Sequence, residues 1–287
     1  MIPKDLISPV NRDKDLPLAP AGFISFTRFA IKLVMLAGLA LFAYSVAWNF
    51  STRTYLRGFA DAIVPLTGSP EEKTEALLEW FHHEPRRIDP PASGSTGLMR
   101  DRDPVNIVQN ARLLKVCGSA TNAFMNLAHA AGLNVRRLLL LDQSGNVMHV
   151  VAEVQWGERW VVTNPQQGLV FKDHLGRGLT KDELRDPQVF SDAISRMPRY
   201  DPQYTFTDTI HIRLKRIPIV GKYLREVLDR FAPGWEEAVN WTYFPENPSL
   251  WLIFIALPLL FLGILGNLIV NRYCCKRQGI KSMESFQ

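Results

Sequence analysis

CGSATNAFMNLAHAAGLNVRRLLLL, residues 117–141, changes its periodicity halfway along. Phe124, Leu127, Ala128 and Ala131 recur at the spacing of a single buried helix face, and Gly132 supplies the helix end. VRRLLLL then reads as a strand. A turn at Asp142–Asn146 leads to VMHVVAEVQW (147–156), and a second turn at Gly157–Glu158 leads to RWVVTN (159–164). The spacing therefore predicts a half-buried helix that opens at Cys117, followed by two or three hairpin-linked strands.

Working outward, Ser69-Pro70-Glu71-Glu72 carries the signature of a helix start, with Ser69 as N-cap, Pro70 in the first turn and Glu72 completing a capping box. Thr74, Leu77, Leu78 and Phe81 then share a face. Residues 85–104 are rich in Pro, Gly and Arg without period and predict a long loop. On the C-terminal side, residues 173–200 are polar and turn-rich. YTFTDTIHIRL (204–214) predicts a strand and IVGKYLREVLDRF (219–231) an amphipathic helix. An aromatic stretch with Trp235, Trp241, Tyr243 and Phe244 follows.

The chain has 287 residues and a formal charge of +5. Residues 1–50 hold five basic and three acidic side chains, and residues 250–287 hold four and one, so the two ends carry the whole excess. A neutral middle with basic ends argues against nucleic acid and for membrane flanks. LVMLAGLALFAYSVAW (33–48) and LWLIFIALPLLFLGILGNLIV (250–270) are uncharged and, with Phe29–Ile31 extending the first, long enough to span a bilayer. Arg12, Lys14, Arg28 and Lys32 precede the first run, and Arg272, Lys276, Arg277 and Lys281 follow the second. The positive-inside rule then places both termini in the cytoplasm and the middle outside it. The predicted organisation is a cytoplasmic tail (1–28), a transmembrane helix (29–49) and an external domain (50–200, core about 70–172). A strand, amphipathic helix and membrane-proximal segment (201–249), a second transmembrane helix (250–270) and a basic cytoplasmic tail (271–287) complete it. The expectation is thus a multi-pass protein of the inner membrane with a periplasmic or external domain. Of three cysteines, Cys274 and Cys275 lie past the second span; Cys117 is the one in the external domain, which excludes a disulfide scaffold.

A thiol at a helix N-terminus faces backbone N–H groups and the positive end of the dipole, which favour thiolate and can hold an oxyanion. Helix position alone equally fits a cysteine packed like alanine, the commoner fate of a free thiol. The hairpin adds a second feature. With a two-residue turn at Gly157–Glu158, or a four-residue loop in the same register, His149 faces Gln166, and Asn164 lies diagonally across on the same face. A three-residue loop would separate them. In such a triad the amide orients the ring and the ring activates the thiol.

Cys117-Gly118 opening an Ala-rich helix, the Ala131-Gly132-Leu133 end, His149 on a strand and Trp160-Val161-Val162-Thr163-Asn164-Pro165 on the next resemble the transglutaminase-like (papain-like) superfamily. The resemblance covers about residues 70–172. It implies an α+β core in which a Cys-bearing helix packs on an antiparallel sheet, with Cys117 as nucleophile, His149 as general base and acid, and Asn164 as third member. Asn stands where this family usually has Asp, as in papain-like proteases, and valines follow His149 where an aromatic is common.

The implied activity is amide hydrolysis or acyl transfer through a thioester on Cys117, acting on a protein, peptide or other amide of the cell envelope. The alternative is an inactive module of the same fold serving in envelope or polysaccharide-export assembly. No cofactor is expected: the sequence shows no zinc-like Cys/His spacing and no Gly-rich phosphate loop. His174 reads as a turn residue, His82 and His83 as helix-end residues, His129 as partly exposed, and Gln109 or Asn110 as a distant option for an oxyanion donor.

Overall fold

The computed structural model describes residues 21–83, 101–212, 220–237 and 247–284. The chain divides into two compact units, Met1–Ala43 with Ile253–Gln287, and Tyr44–Leu252.

The first unit is a helix pair formed by α1 (Ala21–Ile63) and the last helix, α8 (Pro248–Glu284). Each holds a window long and apolar enough to cross a membrane, of which only 11% is buried. That exposure separates them from core helices of a soluble domain, and Phe23, Phe29, Phe261 and Leu262 all point outward. Glycines set the spacing. A Cβ added at Gly263 would stand 2.5 Å from Met35 Cγ, one at Gly38 3.2 Å from Leu260, and one at Gly266 3.3 Å from Ile31. Numbers fall on one helix as they rise on the other, so the pair is antiparallel and close-packed through small residues.

The second unit opens with the rest of α1, which runs well past the predicted end at residue 49. Nothing in residues 50–63 breaks a helix, and Leu56 and Ala60, one turn apart, are fully buried in the domain core. α2 (Pro70–His83) has the expected reciprocal cap: Ser69 N–H donates to Glu72 Oε2 (2.7 Å) and Glu72 N–H to Ser69 Oγ (3.2 Å). Its buried residues are Thr74, Leu77, Leu78 and Phe81, the predicted face. Most of the predicted loop at 85–104 lies outside the described residues. Pro104 opens α3 (Pro104–Gln109), capped by Asp103, and α4 (Ala111–Leu114) leads to α5 (Cys117–Ala130).

β1 (Val135–Leu141), β2 (Val147–Trp156), β3 (Arg159–Asn164), β4 (Leu169–Val170) and β5 (Thr209–Ile210) form an antiparallel sheet in the order β4-β3-β2-β1-β5. Together with the helices this makes the domain α+β. Side chains of α1, α2, α3 and α5 cover one face, meeting Val135, Ala152 and Val154. The other face, Leu138, Leu140, Val151 and Val162, packs on Phe171, Phe190, Tyr200 and Phe206. That second layer includes α6 (Pro187–Ser195), in a stretch expected to be turns. Asp186 caps it, Pro187 sits in its first turn, and Phe190 and Ala193 anchor it, but nine residues are too few to show a helical period. Of the strand predicted over 204–214, the described residues 204–212 contribute Thr209–Ile210, which pair with Leu140 and Leu139 of β1, and residues 213–214 lie outside the described residues. α7 (Val220–Phe231) rests Leu224 and Leu228 on Ile212 and Trp235.

Candidate functional site

Cys117 is the first residue of α5. Its N-cap, Val116, is extended (φ −97°, ψ 122°) and makes no side-chain cap hydrogen bond. The thiol is half-buried, and a Cβ at Gly118 would meet nothing within 4 Å. The first turn of α5 thus has open space beside it.

The hairpin register is the one expected for a two-residue turn. Trp156 pairs with Arg159 and the ladder continues to Ala152 opposite Thr163. His149 and Asn164, the last residue of β3, therefore point to the same face. Between β1 and β2 the register slips: Leu140 pairs with His149 but Leu141 with Val147. This bulge lies beside His149, where an extra residue re-aims side chains at a strand end.

His149 is only 2% exposed. Its ring stacks on Tyr204, centroids 4.5 Å apart and planes 6° from parallel, and meets the edge of Tyr200 at 6.3 Å. Burial pushes its pKa from 6.5 down to about 4, against the opposing pull of the Asn164 amide and the Asp201 charge. The ring is accordingly neutral at neutral pH. Among the described residues, neither His149 Nε2 nor Asn164 Oδ1 meets a partner at bonding geometry, yet the amide lies close enough to favour the protonated ring. Asn164 Nδ2 donates to Gln167 Oε1 (3.2 Å), and Gln167 Nε2 donates to the carbonyl of Arg199 (2.7 Å). Tyr200 OH donates to the carbonyl of Tyr204 (2.7 Å), and burial raises the pKa of that phenol. Gln167, Tyr200 and Tyr204 thus hold the amide and the ring.

Two hydrogen bonds tie the start of α5 to this end of the sheet. Gln166 Nε2 donates to the carbonyl of Lys115 (2.7 Å), and Thr121 Oγ1 donates to the carbonyl of Val150 (3.1 Å). They bracket Cys117 in sequence. The structure brings His149 and Asn164 together. Cys117 stands at the same sheet end on the side covered by α5, whereas the ring projects from the opposite face, so the path from sulfur to imidazole runs round the end of β2.

The other candidates have separate places. Asn110 Oδ1 caps α4 by accepting from Arg112 N–H (3.1 Å), and Gln109 Nε2 donates to Tyr55 OH (3.2 Å). His174 is exposed in the Asp173–Gly176 turn, and His129 is half-buried. His82 and His83 end α2 and line a groove of about 380 Å3 with Glu75, Glu79, Gly168 and Lys172. Among the described residues no three His, Cys, Asp or Glu side chains gather as a metal site.

At the other end of the His149 face lies a buried ionic cluster that was not anticipated. Arg136 Nε and His211 Nε2 both reach Glu153 Oε2 at 2.7 Å, Arg136 Nη1 donates to the carbonyl of Glu237 (2.9 Å), and the guanidinium lies 4.1 Å from the Trp160 ring centre. Burial pushes the Glu153 carboxyl up, but His211 and Arg136 outweigh it and hold the carboxyl below its ordinary value. The sequence signal was a charged residue at an inward position on each of two neighbouring strands. Comparison with protein-family models, curated proteins and solved structures returns no match to this chain.

Proposed function

We propose that this protein is a membrane-anchored thiol enzyme of the transglutaminase-like (papain-like) kind, cleaving or transferring an acyl group from an amide at the cell envelope. The observation that carries the reading is the pair of buried, neighbouring side chains His149 and Asn164, whose Nε2 and Oδ1 each lack a partner at bonding geometry among the described residues, at the sheet end where α5 begins with Cys117. Leaving buried polar atoms without partners is costly, and such orphans concentrate where function retains them.

In this reading the neutral His149, on the opposite face of the sheet from Cys117, draws the thiol proton round the end of β2 by way of water as sulfur attacks the amide carbonyl carbon. The C–S bond forms, the C–N bond breaks, and His149 returns the proton to the leaving amine. Water or a second amine then attacks the thioester. N–H groups in the first turn of α5 face the developing oxyanion. A ring with a pKa of about 4 serves as a base, not as a counter-charge. The basic flanks favour cytoplasmic termini and an external domain, and an antiparallel span pair returns both ends to one side.

Tyr204 stacked over a nearly inaccessible ring favours a second reading, an assembly module that keeps this fold without its chemistry. Trapping separates the two. Full-length protein in nanodiscs, incubated with an activated acyl ester, should carry the acyl group on Cys117 by peptide mass mapping. Cys117→Ser should carry none on the domain, and His149→Ala at least tenfold less. Equal acylation of parent and His149→Ala would favour the assembly module.

A further inference from the structure

Helices are commonly fixed at their start by a side chain that accepts from a first-turn N–H. α5 has no such cap, because Val116 stands at the N-cap position. A cap would occupy the groups that an oxyanion at Cys117 needs. The restraint comes instead from the sheet, through one bond on each side of the thiol. Gln166 Nε2 donates to the Lys115 carbonyl (2.7 Å), two residues before Cys117. Thr121 Oγ1, one helical turn after Cys117, donates to the Val150 carbonyl (3.1 Å).

The sheet ends of these bonds fall beside the other two members of the site. Gln166 stands two residues after Asn164, and Val150 is the residue that follows His149. Thr121 is fully buried, and its spacing of four puts it on the same side of α5 as Cys117. The Gln166 end is itself firmly built. Gln167 N–H donates to the Asn164 carbonyl (3.2 Å) and Gly168 N–H to the Pro165 carbonyl (3.3 Å), so residues 164–168 form two overlapping turns. Gly168 has φ +67°, and a Cβ there would stand 2.7 Å from the Leu78 carbonyl oxygen and from His82 Cβ. The turn is therefore clamped against α2, in a conformation that favours glycine. Its two adjacent amides serve both halves of the site. Gln166 bonds the approach to Cys117, and Gln167 bonds Asn164 and the Arg199 carbonyl.

We propose that Gln166 and Thr121 are positioning residues, a two-point brace that sets the Cys117 thiol against the His149–Asn164 pair across the end of β2. The brace rests on the acyl-transfer reading above, and both residues act through the backbone of their neighbours. Displacing reacting groups by about 1 Å costs on the order of a hundredfold in rate. Bonds on both sides of Cys117 hold the helix start against sliding and rolling over the sheet, which a single bond does not.

The test is alkylation of Cys117 by iodoacetamide at pH 6, read by peptide mass in nanodisc-embedded full-length protein on a Cys274→Ser, Cys275→Ser background. Gln166→Leu and Thr121→Val nearly keep the volume and lose the donor, whereas Thr121→Ser keeps the hydroxyl. Each donor-less variant should react roughly fivefold more slowly or worse, and Thr121→Ser close to the parent rate. Combined with His149→Ala, neither should slow the reaction further, because the brace serves the ring. A parent-like rate in either donor-less variant, a Thr121→Ser loss equal to that of Thr121→Val, or an undiminished loss on the His149→Ala background overturns the brace. Gln166 is half-buried, so Gln166→Leu should keep a denaturation midpoint near the parent's. A slow Gln166→Leu that is also partly unfolded at pH 6 makes the residue part of the fold and likewise overturns the brace. A His149→Ala rate equal to the parent's overturns the acyl-transfer reading beneath it, and the brace with it.

Discussion

At His149 one side chain carries both a chemical and a stability consequence. Its folded pKa of about 4 lies below the 6.5 of an exposed imidazole. The unfolded chain therefore binds the proton first as pH falls. The stability that the neutral ring contributes is complete above about pH 6.5 and is lost progressively as pH falls through 4, by about 3 kcal/mol in total. His149→Gln should flatten that part of the pH dependence, read as the difference between chemical denaturation of parent and variant at pH 7 and pH 4. Parallel curves would mean that the ring is not buried as described. Asn164 offers a second test. Asn164→Asp keeps an acceptor for the ring and adds a charge that raises its proton affinity, so any pH–rate profile should shift upward with activity retained. Asn164→Ala should cut the rate about tenfold or more with little loss of stability. Equal rates for Ala and parent would leave Asn164 as a turn residue ahead of Pro165. The pairing of His149 with Asn164 was legible because a Gly-Glu turn fixes the register and a period of two fixes the face. Gln167 was not, because it lies in the turn after β3, and Tyr204 was not, because it opens a predicted strand that pairs with β1 at Thr209 and Ile210, so no register fixes where its ring goes.

Elements were legible in proportion to their length and their punctuation. α2 announces itself through Ser69 and Glu72, and α5 through its apolar face and Gly132. α6 is too short to announce itself, and the extension of α1 was hidden because residues 50–63 look like a polar stretch once the apolar run stops. Only the spacing of Leu56 and Ala60 marks that part as core. The hairpin sheet depends on a feature that hydropathy misreads, the Arg136–Glu153–His211 cluster across β1, β2 and the end of β5. Removing one partner strands a buried charge, so Arg136→Ala should destabilise the domain by about 3–5 kcal/mol. Arg136→Met, which keeps the volume but leaves the Glu153 carboxylate with His211 as its remaining partner in the cluster, should recover little, while Arg136→Met with Glu153→Gln should recover much of it. Denaturant midpoints at constant slope check this, and additive effects of the two substitutions would show that the pair is not coupled.

For the whole molecule, the two apolar helices indicate membrane association, and their antiparallel packing follows from Gly38, Gly263 and Gly266. Orientation comes from the basic flanks alone. A reporter active only in the cytoplasm should give signal when fused after Arg277 and none after Asp192; the reverse would place the domain inside. Sequence patterning reached the α+β architecture, the two helices long and apolar enough to cross a membrane, and the hairpin register, which follow from local period and composition. It could not reach the site's enclosure, which depends on chain segments far apart in sequence. The most direct test of the central claim is the pH profile of Cys117 alkylation in nanodisc-embedded full-length protein, parent against His149→Ala. If the ring serves the thiol, the parent profile carries an inflection near pH 4 and His149→Ala loses it, reacting at least tenfold more slowly at pH 6. Superimposable profiles would contradict the pairing of Cys117 with His149.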